Sequence, residues 1–370
     1  MPREANAVDF WRGIALITIF INHVPGIYYS RFTHANYSLS DSADLFVFLA
    51  GMSLRLLVGR SGRLQATWYL VLRLLSRALE LYAAQILITM IAIAMLATSA
   101  TVLENPLLLE WHNAAAVFYD PILTHIGLAA LTHHLGYFDI LPLYVVLMTM
   151  APIFAVIDRY APNWLLPISL AIYFVTLIVP LPVPTWPVDG QWFFNPLAWQ
   201  LVFVLGFVLA REDGVGGFVR RHMVPIRWLS FPIVAVSAYI MWNQLWPDPT
   251  RMPRPVLLFI ADKSNATPMR VIQLLALVAL FSATYPYIKR WASWLAEFGS
   301  MLGRNSLIVF CVGSLLSLAG QIARFVYRGD IAIDTVVVIL GVAIMAFSAW
   351  LPEWREQVRS RSSRQPSPAS

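Results

Sequence analysis

Residues 11–29, WRGIALITIFINHVPGIYY, form an apolar run with Arg12 near one end and the pair Asn22-His23 well inside it. The run is long enough for a membrane helix, and an ionisable imidazole inside hydrocarbon is costly, so His23 marks a site before it marks a packing choice. Arg12 and His23 are eleven positions apart, close to three helical turns, which puts both on one face roughly 16 Å apart along the axis. The rest of the chain matches this opening. It is 59% hydrophobic and 12% charged, with a mean hydropathy of +0.66, outside the range of soluble globular domains, about a quarter of whose residues are charged. Counting stretches able to cross a hydrocarbon core of about 30 Å predicts an all-α fold, a polytopic bundle of about ten membrane-spanning helices.

The net charge of +6 comes from basic residues in short groups between apolar runs. That is the pattern of membrane orientation rather than of a nucleic-acid stripe, so no nucleic acid is expected as partner. With an even number of spans and both termini cytoplasmic, most of the 26 Lys and Arg fall on the inner side, as the positive-inside bias requires. Cys311 stands alone, which excludes an intrachain disulfide and a cysteine-rich metal site. The first apolar segment has no convincing cleavage site and reads as a retained span rather than a signal peptide. Residues 1–354 read as one transmembrane domain, and 355–370, polar, basic and Ser/Pro-rich, as a disordered cytoplasmic tail.

Between Ala100 and Phe138 there is no Lys or Arg, but there are four histidines, His112, His125, His133 and His134. Their spacing is not a ligand pattern, and no metal site is expected. The Leu, Trp and Phe content predicts short interfacial helices in this loop. His134 and Asp139 are candidates to line an acceptor site. Trp192 belongs to an aromatic group with Trp186, Phe193 and Phe194, suited to stacking on a sugar ring or to an interfacial belt. The 247–270 loop carries Arg251, Arg254, Lys263 and Arg270 against the orientation trend, so either an anion is bound there or the cations pair with Asp248 and Asp262. No internal repeat is visible, which counts against an inverted-repeat transporter.

The densest polar grouping is amino-terminal: INH at 21–23, THANYS at 33–38 and DSADLFVFLAGMS at 41–53. A neutral histidine beside a hydroxyl acts as a general base, and an amide or carboxylate can fix its tautomer. Asn22 can also donate to a developing oxyanion. Against this stands a structural reading, in which these groups hydrogen-bond between helices.

The runs AVDFWRGIALITIFINH (7–23) and FTHANYSLSDSADLFVFLAGMS (32–53) resemble the OpgC family, membrane proteins linked to succinylation of osmoregulated periplasmic glucans. So do YFDILPLYVVLMTMAP (137–152), FNPLAWQLVFVLGF (194–207), DKSNATPMR (262–270) and LGRNSLIVF (302–310), in the family's order. That family is similar to the wider superfamily of transmembrane acyltransferases. The resemblance implies an enzyme, an acyltransferase of the bacterial inner membrane, moving a succinyl or related acyl group from cytoplasmic acyl-CoA to hydroxyls of a periplasmic glucan. Acyl-CoA, with succinyl-CoA favoured, is then a co-substrate rather than a tightly bound cofactor, and the lipid bilayer and the glucan are the other partners. Arg12 and His23 match the arginine and histidine of the acyltransferase-3 first helix, whereas Asn22 and His34 resemble the pair of the heparan-glucosaminide branch. His34 is favoured as base because it is expected to face the outer compartment, His23 is second, and Asn22 or Asp44 orients or stabilises. Arg12, Arg55, Arg73, Arg77, Arg304 and Asn305 are the candidates for holding the donor's phosphates. His134, Asp139, Trp192, Lys263 and Arg270 are the candidates for the acceptor and a succinyl carboxylate. The rivals are an O-acetyltransferase of another surface glycan and a non-catalytic glycan transporter or export partner. The oligomeric state is not encoded in any pattern found.

Overall fold

The computed structural model describes residues 4–61, 66–179 and 181–362. Among these, the chain is helical and contains no strand beyond an isolated bridge between Pro184 and Gln191. Its α-helices are α1 (Ala7–Asn22), α2 (Ser42–Ser61), α3 (Thr67–Val102), α4 (Ala115–Tyr119), α5 (Pro121–Ala129), α6 (Ile140–Tyr160) and α7 (Leu165–Ile178). There follow α8 (Pro196–Leu209), α9 (Gly214–Arg221), α10 (Met223–Trp242), α11 (Pro268–Phe281), α12 (Tyr285–Trp291), α13 (Ser293–Arg304), α14 (Ser306–Tyr327) and α15 (Ile331–Ser362). Seven spans among the described residues are long and apolar enough to cross a membrane, with α7 and α8 as shorter apolar helices. Each of the apolar stretches counted in the sequence, α1 included, holds a helix. This is a polytopic helical membrane protein.

Two compact units divide the chain, one made of residues through Ser30 with those from Phe281 onward, the other of Arg31–Leu280. In the first unit, Asn6 caps α1 by accepting from the Asp9 N–H at 3.0 Å, satisfying a donor that the helix start leaves open. α1 lies against α13 so closely that a Cβ on Gly13 would fall on the Gly299 carbonyl. Backbone approach of this kind is how helices associate where lipid is as apolar as leucine. Ser317 of α14 donates to the Phe20 carbonyl at 3.0 Å and Gln321 to that of His23 at 2.6 Å. Asp334 on α15 accepts from the Tyr28 N–H at 2.6 Å and pairs with Arg324 at 2.5 Å.

The second unit repeats the device. Gly51 of α2 and Gly206 of α8 face one another, and a Cβ on either would meet the other helix's backbone, at Phe203 O and Phe48 O. α3 packs along α6 and α7 along α8. The 100–138 stretch forms a 3-10 segment, Pro106–Asn113, followed by α4 and α5, and its histidines staple it. His125 reaches the Pro121 carbonyl, His133 that of Asn113 at 3.2 Å and His134 that of Leu131 at 2.8 Å. One expectation is corrected at the other end of the chain. α15 runs on through Ser362, so 355–362 is helix rather than tail, because WREQVRS is built of good helix formers and the first proline comes only at Pro366. The remainder of the expected tail lies outside the described residues.

Candidate functional site

In the second unit, four helices begin beside one polar cluster: α2, α6, α8 and α11. Asn195 caps α8, accepting from the Leu197 N–H at 3.0 Å, and donates to Leu181 O at 2.9 Å and Asn265 Oδ1 at 3.2 Å. The DKSNATP loop ahead of α11 is knotted by its own side chains. Asp262 accepts from the backbone N–H and side chain of Asn265, and Thr267 donates to Ile260 O at 2.7 Å. Tyr173 of α7 donates to Ala266 O at 2.8 Å, and the buried Trp199 indole of α8 donates to the carbonyls of Lys263 and Ser264. The loop is therefore held to two helices by its backbone, which leaves Lys263 and Arg270 to point where the knot directs them.

Both cations go to the start of α2. Arg270 pairs with Asp44 at 2.5 Å and lies 3.4 Å from Asp41, and Lys263 pairs with Asp41 at 2.7 Å. The pairing proposed from the sequence, with Asp248 and Asp262, is not what these two adopt; Asp248 lies instead against Arg251. Asp41 and Asp44 also organise the turn between them, Asp44 accepting the Asp41 N–H at 2.8 Å and Asp41 the Ala43 N–H at 2.8 Å. Burial pushes the Asp41 carboxyl up, but Lys263 and Arg270 outweigh it and hold the group well below the usual carboxylate range.

Aromatic faces close the cluster. Lys263 Nζ lies 5.8 Å from the Phe193 ring and 5.6 Å from that of Phe194, within cation–π range. The neighbouring Trp192 meets His134 edge to face at 4.5 Å. Because a carbonyl can only accept, the bond to Leu131 O fixes the proton of His134 on Nε2 and leaves Nδ1 as the acceptor. Burial pushes His134 down to about 4, so it is neutral at working pH. Asp139, immediately before α6, is half-buried, and burial pushes its carboxyl up to about 6 against the pull of Lys263 and of the Asp139 and Ile140 N–H groups. Several buried polar atoms have no protein partner among the described residues: Trp192 Nε1, Arg270 Nε and Gln273 Oε1, the last on a side chain that donates to Ser38 at 3.2 Å. In native proteins such orphans call for an explanation.

The sequence candidates distribute unevenly. Asp44, Lys263 and Arg270 meet directly, His134 touches Trp192, and Asp139 feels Lys263. His34 sits in a short 3-10 turn, His34–Asn36, half-buried, with no side-chain hydrogen bond among the described residues. Arg55 pairs with Asp158 at 2.5 Å, over the Phe207 ring; Arg77 pairs with Glu80 of its own helix at 2.6 Å; and Arg73 is exposed on α3. In the first unit, Arg12 lies half-buried within α1, Asn22 ends that helix and His23 caps it. Arg304 is held by Glu353 through two bonds, at 2.8 and 3.1 Å, and Asn305 joins the same carboxylate at 3.2 Å. Arg304 and Glu353 border a cavity of about 570 Å³ also lined by Lys289, Trp294 and Glu297. Asp41 and Gln273 are the members to which the sequence alone assigns no role. The signal for Asp41 is its place in the DSAD tetrad with Asp44.

No curated protein matches the chain. A family model described as the OpgC protein matches residues 3–357, nearly the whole chain, and the chain therefore belongs to the OpgC family.

Proposed function

We propose that this protein is a membrane acyltransferase that moves a succinyl or related acyl group from cytoplasmic acyl-CoA to hydroxyls of a periplasmic glucan. Membership in the OpgC family supports the acyltransferase class and the glucan acceptor. The observation that carries the reading is the polar cluster in an otherwise apolar bundle: Asp41, Asp44, Lys263 and Arg270 beside Asp139, His134 and Trp192. Buried charges are costly unless paired, and such clusters are retained where they do chemistry or bind a polar substrate. Here they come with aromatic faces suited to a sugar ring and with buried donors, Trp192 Nε1 and Arg270 Nε, that an acceptor's oxygens would satisfy. Because Arg270 is engaged by two carboxylates, Lys263 is the better partner for a succinyl carboxylate. Arg12, Arg304 and Asn305, with Arg55, Arg73 and Arg77, are the groups proposed for the donor's phosphates. In this reading the cluster faces the periplasm, both termini are cytoplasmic, and the membrane is the bacterial inner membrane. The hydroxyl proton must be taken by a side chain, and His34, then His23, are the histidines proposed by resemblance.

Mass spectrometry tests the reading. Detergent-purified protein is incubated with a β-glucan oligosaccharide and either succinyl-CoA or acetyl-CoA. A mass gain of one acyl group establishes the reaction class and names the donor. No gain from either donor on several glycans, with well-folded protein, refutes it.

A further inference from the structure

In the first unit, α13 presents two different faces. Ala296, Gly299 and Gly303 are buried, and α1 lies so close that a Cβ on Gly303 would fall on the Asp9 carbonyl. Trp294, Glu297 and Arg304, three and seven positions apart, share the opposite face. They line the cavity of about 570 Å³, a size within the roughly 300–1,000 Å³ of small-molecule sites. Glu4, ahead of α1, and Glu353, late in α15, line it too. With both termini cytoplasmic, as in the reading above, the cavity lies on the donor's side of the membrane.

Each cation of the lining holds a carboxylate. Arg304 donates to Glu353 twice, at 2.8 and 3.1 Å, and Asn305 adds a bond to the same group at 3.2 Å. Donors converging in this way on anionic oxygens form a cradle that fits a phosphate. Lys289 holds Glu4 at 2.8 Å with side chains 47% and 85% exposed, an ion pair that is weak and readily exchanged. Trp294 is 71% exposed and makes no ring contact among the described residues, and Glu297 makes no hydrogen bond or ion pair among them.

We propose that this cavity seats the nucleotide of the acyl-CoA donor, with its phosphates on Arg304, Asn305 and Lys289 in place of Glu353 and Glu4, and its adenine on the Trp294 ring. The inference rests on the acyl-transfer reading above and adds Lys289 and Trp294 to the donor site. A phosphate brings more charge than a carboxylate and a third acceptor oxygen, so it satisfies the Arg304–Asn305 cradle better than Glu353 does. The two glutamates hold the anion seats while no donor is bound. Glu4, already largely in solvent, is the easier of the two to displace. The open face of Trp294 offers the stacking surface that any base can use. Glu297 supplies an acceptor for the adenine amino group or the ribose hydroxyl, which gives a carboxylate a reason to stand on the wall of an anion site.

The test is CoA binding by full-length protein in detergent, measured by isothermal titration calorimetry. Wild type is expected to bind CoA, and adenosine 3′,5′-bisphosphate is expected to displace it while pantetheine does not. Trp294→Ala is expected to weaken the Kd about 5- to 100-fold, the range of one base–aromatic stack. Lys289→Ala is expected to weaken it several-fold, and Glu4→Gln, which frees Lys289, to tighten it. Trp294 and Lys289 are exposed enough for truncation to leave the fold intact. CoA displaced equally well by inorganic phosphate or by phosphatidylglycerol micelles overturns the proposal, since the cavity is then a seat for any phosphate. Wild type that binds no CoA and acylates no glucan overturns the functional reading and the proposal together, whereas wild type that binds CoA no better than Trp294→Ala and Lys289→Ala do overturns the proposal alone.

Discussion

Replacing Arg270 by Met isolates the energetics of the cluster. The Arg270 and Asp44 side chains are 9% and 2% exposed and meet at 2.5 Å. Without the guanidinium, Asp44 keeps only the Asp41 N–H, and Asp41 keeps Lys263, which is a third exposed. Breaking a buried pair by removing one partner strands the other charge, a loss of about 3–5 kcal/mol. Taking roughly 4 kcal/mol, the folded-to-unfolded ratio drops about a thousandfold. Arg270→Met with Asp44→Leu removes the stranded charge and fills the space with apolar atoms, a change that is often neutral for buried pairs. The double variant should therefore recover most of the loss, short of about 1 kcal/mol for the Asp41 N–H left without its acceptor. Unfolding in mixed micelles titrated with SDS measures both. A single variant within 1 kcal/mol of wild type, or a double variant no better than the single, would refute the assignment of this pair as a buried, mutually dependent one.

Asp139→Asn should stabilise the fold in alkali. Burial pushes the native carboxyl up to about 6 from an ordinary 3.8, so ionising it opposes folding increasingly as pH rises from about 4 to 6, by up to about 3 kcal/mol above that window. The unfolding midpoint of the variant should exceed wild type at pH 8 and converge with it near pH 4; equal midpoints at pH 8 would contradict the burial argument. Gly206→Ala should cost about 1–3 kcal/mol, because its Cβ meets the rigid Phe48 carbonyl rather than a movable side chain; a variant as stable as wild type would show that α2 and α8 can part freely. Glu353→Gln releases Arg304 and Asn305 from their shared carboxylate, so the donor KM should fall several-fold if Arg304 meets the phosphates, and an unchanged or higher KM would assign Arg304 to holding α15.

The helices were legible because hydrocarbon leaves the backbone no alternative: every apolar stretch counted in the sequence is a helix. The pairing inside the site was only partly legible. Lys263 and Arg270 stood out as cations against the orientation trend, and Asp44 and Asp139 as acids in apolar runs. What joins them is the knot of Asp262, Asn265 and Thr267, which turns the loop away from its own acids and toward Asp41. A one-dimensional pattern shows which charges need partners but not which partner a folded loop can reach. The aromatic segment was ambiguous for a related reason. Trp192, Phe193 and Phe194 satisfy an interfacial belt by composition, and only the seat of Trp192 on His134 and of the two phenyl rings around Lys263 distinguishes them from one. The expected tail departs from disorder over 355–362 because a polar, basic, Ser-rich composition does not itself stop a helix, and the helix that precedes it needs no tertiary contact to extend a few residues.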